Sequence, residues 1–362
     1  MGYLAAVSES VVDRLLPALG EDGVLGLGES THGSANAFEW KLDVVHELAR
    51  RGLLAAFAIE DSVVAGLRID EALQGRGDLD AALATSSSLL RTRTIREGLH
   101  RLVGIAAAVP PGRRARYLGI DVSAPHRTAR ALLDLGHEDA VLRETAARTA
   151  LDPVGVAALD RLCARLEVDG HDRTELLARN LRRHLDTYLA APGLERLHRR
   201  DAHMAHSLLE QRPSHGITVV WAHNEHVARN ADNWGGPSMG RVLEQELGSG
   251  YVPVGVMCGE GEARAVDPST GDDGYRAVPL PPLRPGTTDA ALTSLGASFV
   301  TREEFTHPGP RRFLGWKIDT SLYEDPQAMR ATFEVERPST DFDAIAVLPA
   351  STADVSAEIS SP

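Results

Sequence analysis

The chain is predicted to fold as an α/β protein: a mainly parallel central sheet flanked by helices, with a helical insertion capping a deep cleft. Three observations point there. Short apolar runs alternate with amphipathic helical stretches. Several of those runs end abruptly at a titratable residue. The stretch between 126 and 212 is almost wholly helical, rich in Ala, Leu, Arg and Glu.

Taken in order, residues 8–19 place Val11, Val12, Leu15, Leu16 and Leu19 on one helical face. Residues 24–28 form a short strand ending at Glu29, and a helix follows over about 34–51, with Phe38, Leu42, Val45 and Leu48 apolar and Gly52 as its stop. Residues 54–59 make a second strand, ending at Glu60. A strand–helix–strand unit of about 35 residues implies a parallel pair with a right-handed crossover. Further strands are predicted at 116–120, ending at Asp121, and at 217–221, ending at Ala222-His223. Two more lie at 252–257 and 344–348. The chain thus divides into a first part of the core (1–125), a helical insertion (126–212), a second part of the core with long, Gly- and Pro-rich loops (213–350) and a flexible tail (351–362).

The 362 residues are 43% hydrophobic, enough for a substantial core. A net charge of -13 argues against nucleic acid or an anionic membrane as the main partner. Cys163 and Cys258 are too few and too separated for a disulfide framework or a cysteine-based metal site. No apolar run reaches the ~18 residues that span a bilayer, and no basic leader opens the sequence, so a cytoplasmic protein is expected. The 38 basic residues comprise 36 arginines and only Lys41 and Lys317. Against that background Lys41 hints that a compact ammonium is wanted.

Chemistry concentrates in two turns, Gly28-Glu29-Ser30-Thr31-His32-Gly33 and Trp221-Ala222-His223-Asn224-Glu225-His226. In a parallel sheet both open onto the carboxyl edge, where open α/β sheets bind their ligands. Glu29, Glu60, Asp121 and His223 each end a predicted strand, so they are expected to share one site with His32 and His226. A histidine in a small-residue turn suits a general base, and Glu29 or Glu60 would orient its ring. His223 and His226, three apart, also admit a metal reading completed by Glu29 or Glu60. Lacking a His-Glu-x-x-His helix or cysteine ligands, the pair is read instead as proton-transfer or substrate-binding groups, with no cofactor expected and a divalent metal as the alternative. There is no Gly-x-Ser-x-Gly elbow and no phosphate-binding Gly-Lys loop, and Gly26-x-Gly28 meets Thr31 where a dinucleotide fingerprint needs glycine.

These residues resemble the erythromycin esterase family. The resemblance rests on Gly28 to Gly33, Ile59-Glu60 and Trp221-Ala222-His223-Asn224-x-His226. It extends through Tyr117 to Asp121, Arg200-Asp201-x-x-Met204-Ala205, Ser238-Met239-Gly240, Gly255-x-x-x-x-Glu260-Gly261 and Asp341 to Ile345. It implies His32 as the base that activates water against a lactone, assisted by Glu29 and Glu60, with His223 also catalytic. Lys41 stands nine positions after His32, as the family's basic residue does. Lys41, His226, Asp121, Arg93 and Met239 are expected to bind substrate, a small molecule of natural-product type. The segment 85–104 lacks the family's usual Trp and its Asn-containing helix end, and Glu225 replaces a small residue. The expected function is ester or macrolactone hydrolysis. The alternative is a tailoring reaction by the same groups without water: cyclisation, elimination or group transfer.

Overall fold

The computed structural model describes residues 2–169, 171–232, 235–296, 298–305, 307, 309–336 and 339–358. The first part of the chain runs α1 (Gly2–Leu19), β1 (Val24–Leu27), α2 (Ala35–Arg50), β2 (Leu54–Ser62), α3 (Val63–Leu73), α4 (Leu79–Leu83), α5 (Arg93–Ala107) and β3 (Arg116–Asp121). Five helices follow: α6 (Pro125–Asp134), α7 (Ala140–Ala146), α8 (Pro153–Asp169), α9 (Asp172–Tyr188) and α10 (Glu195–Gln211). The chain then returns through β4 (Ile217–Trp221), α11 (Asn224–Val227), α12 (Met239–Leu247) and β5 (Tyr251–Ala265). The rest is β6 (Arg276–Pro279), α13 (Thr288–Leu295), β7 (Phe299–Thr301), β8 (Arg311–Arg312), α14 (Pro326–Phe333), β9 (Glu334–Val335) and β10 (Ala344–Ser351).

The central sheet has the order β3-β2-β4-β1-β5-β10-β7 and is parallel except for β7. β6 adds antiparallel to the far end of β5. Both faces are covered, which is why the central strands read as continuous apolar runs rather than alternating ones. Leu25, Leu27, Phe57, Ile59, Val219 and Trp221 pack with α1, α2 and α5 on one face. Val24, Ala56, Ala58, Leu118 and Val220 pack with α10 and α12 on the other. Helices α6 to α9 build their own core with the start of α3, around Leu142, Cys163, Leu177 and Leu181. No described helix is long and apolar enough to cross a membrane.

Register decides where the chemistry falls. Trp221 pairs with Leu27 on one side and Ile59 on the other, and Ile59 pairs with Gly119. Glu29, Glu60, Asp121 and His223 therefore leave their strands within two residues of one common level. This is the topological crevice of an open α/β sheet, since the chain runs outward from β1 through β2 to β3 and later crosses back to β5.

The C-terminal segment differs from the expected flexible tail. Ala35 N–H donates to the Thr352 carbonyl, Asp354 N–H to Gly33, Arg93 N–H to Val355 and Ala357 N–H to Arg91. Residues 352–357 thus strap the turn after β1 to the start of α5. Residues 359–362 lie outside the described residues.

One side chain splices the sheet where β1 stops. Asn224 Nδ2 donates to the Val256 carbonyl at 2.9 Å, and its Oδ1 accepts from Val256 N–H at 3.0 Å. A Cβ on Gly28 would meet that Oδ1 at 2.0 Å, so only glycine fits the passing strand end. Asn224→Ala leaves two buried β5 backbone groups unpaired, and is expected to cost about 2–4 kcal/mol. A shift in denaturant midpoint at constant slope measures it; a loss below about 1 kcal/mol contradicts the splice.

Candidate active site

The turn between β1 and α2 is tight because Gly33 lies against the Arg264 backbone, and it ends where Ser34 Oγ accepts from Ala37 N–H to cap α2. That geometry turns His32 back onto Glu29. His32 Nδ1–H donates to Glu29 Oε1 at 2.7 Å. The other oxygen, Oε2, accepts from Trp221 Nε1–H at 2.7 Å and from the Lys41 ammonium. Lys41 Nζ in turn lies 3.7 Å over the centre of the Trp221 ring.

Burial works against the Glu29 charge, but Lys41 and His32 outweigh it and hold the carboxyl down at about 2. Burial pulls Lys41 down to about 8 against the attraction of Glu29, leaving the pair ionic at neutral pH. An ionised Glu29 fixes the hydrogen on His32 Nδ1 and turns the Nε2 lone pair outward. No hydrogen bond among the described residues reaches that Nε2.

His223 is the opposite case. Its Nδ1 accepts from Glu225 N–H at 3.2 Å and caps α11, and its Nε2–H donates to the Ser30 carbonyl at 3.1 Å. Burial first, then the neighbouring His32 and His226, push its pKa down to about 3. The ring is neutral with both nitrogens occupied. The residue expected to be catalytic here ties the two turns together and packs beside His32, ring centres 5.1 Å apart.

His226 is held charged. Its Nδ1–H donates to Asp201 Oδ1 at 2.6 Å, and its Nε2 lies 3.4 Å from Glu60 Oε1. Burial opposes the charge, yet Asp201 and Glu60 together raise the pKa to about 10. An imidazolium has no lone pair, so the 3.4 Å approach of Arg200 Nη1 to Nε2 is a shared contact with Glu60 rather than a hydrogen bond. Arg200 grips Asp121 through both oxygens, at 2.9 and 3.0 Å, and reaches Glu60 Oε1 at 2.8 Å. Glu60 Oε2 accepts from His223 N–H at 3.2 Å. Burial notwithstanding, His226 and Arg200 keep Glu60 well below the usual carboxylate range.

Exposure separates residues that can touch a ligand from those that position them. The side chains of His32, Arg200, Glu60 and His226 are 16, 15, 13 and 10% exposed, whereas Lys41 is 0% and Glu29 2%. Lys41, expected to bind substrate, is buried with its ammonium on Glu29. Met239, also expected to bind substrate, has its side chain in the core, and its N–H donates to Asp201 Oδ2 at 3.0 Å. Arg93 stands exposed at the start of α5, with no side-chain partner tying it to the histidine cluster. Asp121 reaches the site only through Arg200. Glu225 is buried against Arg311, which also holds Asp341 at 2.9 Å.

The residues whose roles sequence reasoning missed are Arg200, Asp201 and Trp221. The first two lie on α10, and one arginine among 36 carries no signal of its own. The His-x-x-His pair does not converge, since the two rings face different partners. Among the described residues no group of three His, Cys, Asp or Glu side chains is placed to hold a metal ion.

Fold and site together define an α/β protein with an acid–base centre at the carboxyl edge of a parallel sheet. Residues 54–351 match the family model described as erythromycin esterase, and the chain belongs to the erythromycin esterase family. Membership supports a hydrolase-like enzyme. The first histidine turn lies just before the matched residues. Solved structures share the fold: a succinoglycan biosynthesis protein at 18% identity and TM-score 0.76, covering 95% of this chain and 91% of that one. A Bacillus cereus protein follows at 16% and 0.73, covering 96% and 93%. An erythromycin esterase mutant in its open conformation is 16% identical at 0.62, covering 96% and 94%. No curated protein matches the chain.

The His226 ion pairs predict a pH dependence. Its pKa rises from 6.5 to about 10 on folding, so the stability it contributes is full below 6.5 and is lost as pH climbs towards 10. Lys41, whose pKa falls on folding, acts in the opposite direction. The difference between the unfolding free energies of wild type and His226→Gln isolates His226: it should shrink steadily across that window. A constant difference would show that His226 is not charged in the native state.

Proposed function

We propose that the protein hydrolyses an ester or macrolactone of a small natural-product-like molecule, with His32 as the general base. The observation that carries this is the single outward ring nitrogen: His32 Nε2 is open while Nδ1 is committed to a buried, ionised Glu29. Water gives a proton to Nε2 as its oxygen attacks the carbonyl carbon, and Glu29 stabilises the imidazolium that forms. The tetrahedral oxyanion develops beside Arg200 and the charged His226, the two cationic groups that remain partly exposed. Collapse breaks the carbon–oxygen bond, and the proton on Nε2 passes to the leaving alkoxide. Acid and alcohol depart with His32 neutral again. The cycle uses only water and the chain's own side chains.

In this scheme Glu60 positions rather than reacts. It binds Arg200, His226 and the His223 backbone N–H at once.

Incubation with macrolides and simple lactones in ¹⁸O-water, read by mass, should show the gain of one labelled water. Turnover without label would instead support cyclisation, elimination or transfer. His32→Ala should lower kcat by about 10²–10⁴-fold with the fold intact. Glu29→Gln should lower kcat while leaving KM near wild type. Near-normal turnover in His32→Ala removes the mechanism.

A further inference from the structure

On the same edge of the sheet, beside β2 and β3, lies a second cavity of about 240 Å³. Its walls carry Arg68, Thr85, His126, Arg127 and Arg130. Arg148 stands at its rim, Nη2 lying 2.9 Å from His126 Nε2. His126 accepts there as a neutral ring, since burial and then Arg148 lower its pKa.

The cavity gathers several arginines whose charge no described carboxylate balances. Arg68, Arg127, Arg130 and Arg148 form no ion pair with any carboxylate among the described residues, in a chain of net charge -13. On α9, which packs against α6, the arginines are paired: Arg173 with Glu71, Arg179 with Glu175, Arg182 with Asp160, Arg183 with Glu210. The nearest acid, Asp61, is buried, and its carboxylate is occupied by the N–H groups of Ser62 and Ser87. Arg127 spends one contact on the Thr85 carbonyl. Burial, and then crowding by Arg91, Arg148 and Arg68, disfavours its charge despite the help of Asp61. Half-buried Arg91 carries an Nε with no partner. Among the described residues, the two non-glycine residues with left-handed backbone are Ala124 at φ 59° and Arg148 at φ 60°. Ala124 is the N-cap of α6, the helix that carries His126, Arg127 and Arg130, and Arg148 reaches the cavity through His126. Such strain persists only where the surroundings enforce it.

We propose that this cavity is an oxyanion-binding subsite that takes a phosphate, sulfate or carboxylate group carried by the substrate. The volume suits a single charged group rather than a whole drug-sized molecule. Guanidinium groups recognise such anions through paired N–H donors. Its walls come partly from the 85–104 segment, where the chain departs from the family pattern. That the anion belongs to the substrate rests on the hydrolase reading; that the cavity binds an anion does not.

Titrating the full chain with inorganic phosphate, followed calorimetrically, tests the subsite by itself. Wild type and His32→Ala should bind one phosphate alike, and Arg68→Gln with Arg130→Gln should weaken binding about tenfold or more. Both positions are exposed and unpartnered, so the fold should survive. No saturable binding, or equal binding by the double variant, overturns the proposal. With active preparations, an ester bearing a carboxylate should be preferred over its neutral counterpart in kcat/KM, and the double variant should erase the preference. An undiminished preference overturns the substrate assignment. If no ester is turned over at all, the hydrolase reading fails while the phosphate titration still decides the cavity.

Discussion

The site depends on a carboxylate that has been taken almost entirely out of water. Burying an isolated carboxylate costs several kcal/mol, and Glu29 tolerates it only because three donors converge on it. Lys41, Trp221 and His32 come from α2, β4 and the turn after β1, so satisfying one charge aligns three elements. Trp221 serves twice, donating its indole N–H to Glu29 and its ring face to Lys41. His32 is thereby attached to the rigid core of the sheet, although it sits in a turn.

A second network performs the complementary task. Asp201, Glu60 and Asp121 hold His226 and Arg200 as cations on the other side of Glu60. The helical insertion is essential to this division, because α10 supplies both Arg200 and Asp201. Three histidines within two turns thus sit in three different settings. His32 gives Nδ1 to Glu29 and leaves Nε2 open, His223 is neutral and fully bonded, and His226 is an imidazolium. Environment, not residue type, assigns these roles.

Much of this was legible in the sequence. The strands of the sheet centre announce themselves as apolar runs because both faces are covered. Their titratable ends predict the cluster of Glu29, Glu60, Asp121 and His223 on one edge. The two turns were also recognisable as a pair. What the sequence hid was direction: nothing in His-Asn-Glu-His tells which ring caps a helix and which faces an acid. Lys41 was singled out correctly as unusual, but its burial under Glu29 emerges only when α2 packs on β4. The polar composition of the tail resembles a frayed end, whereas backbone hydrogen bonds to Gly33, Ala35 and Arg91 tie residues 352–357 to the core. Family membership supports a hydrolase-like enzyme.

Which ring nitrogens of His32, His223 and His226 carry hydrogen is read directly by ¹⁵N-detected spectra of histidine-labelled protein at neutral pH. His32 should appear as the Nδ1–H tautomer, His223 as the Nε2–H tautomer, and His226 doubly protonated. A His32 ring protonated at Nε2, with the lone pair turned towards Glu29, would contradict the assignment of His32 as the base.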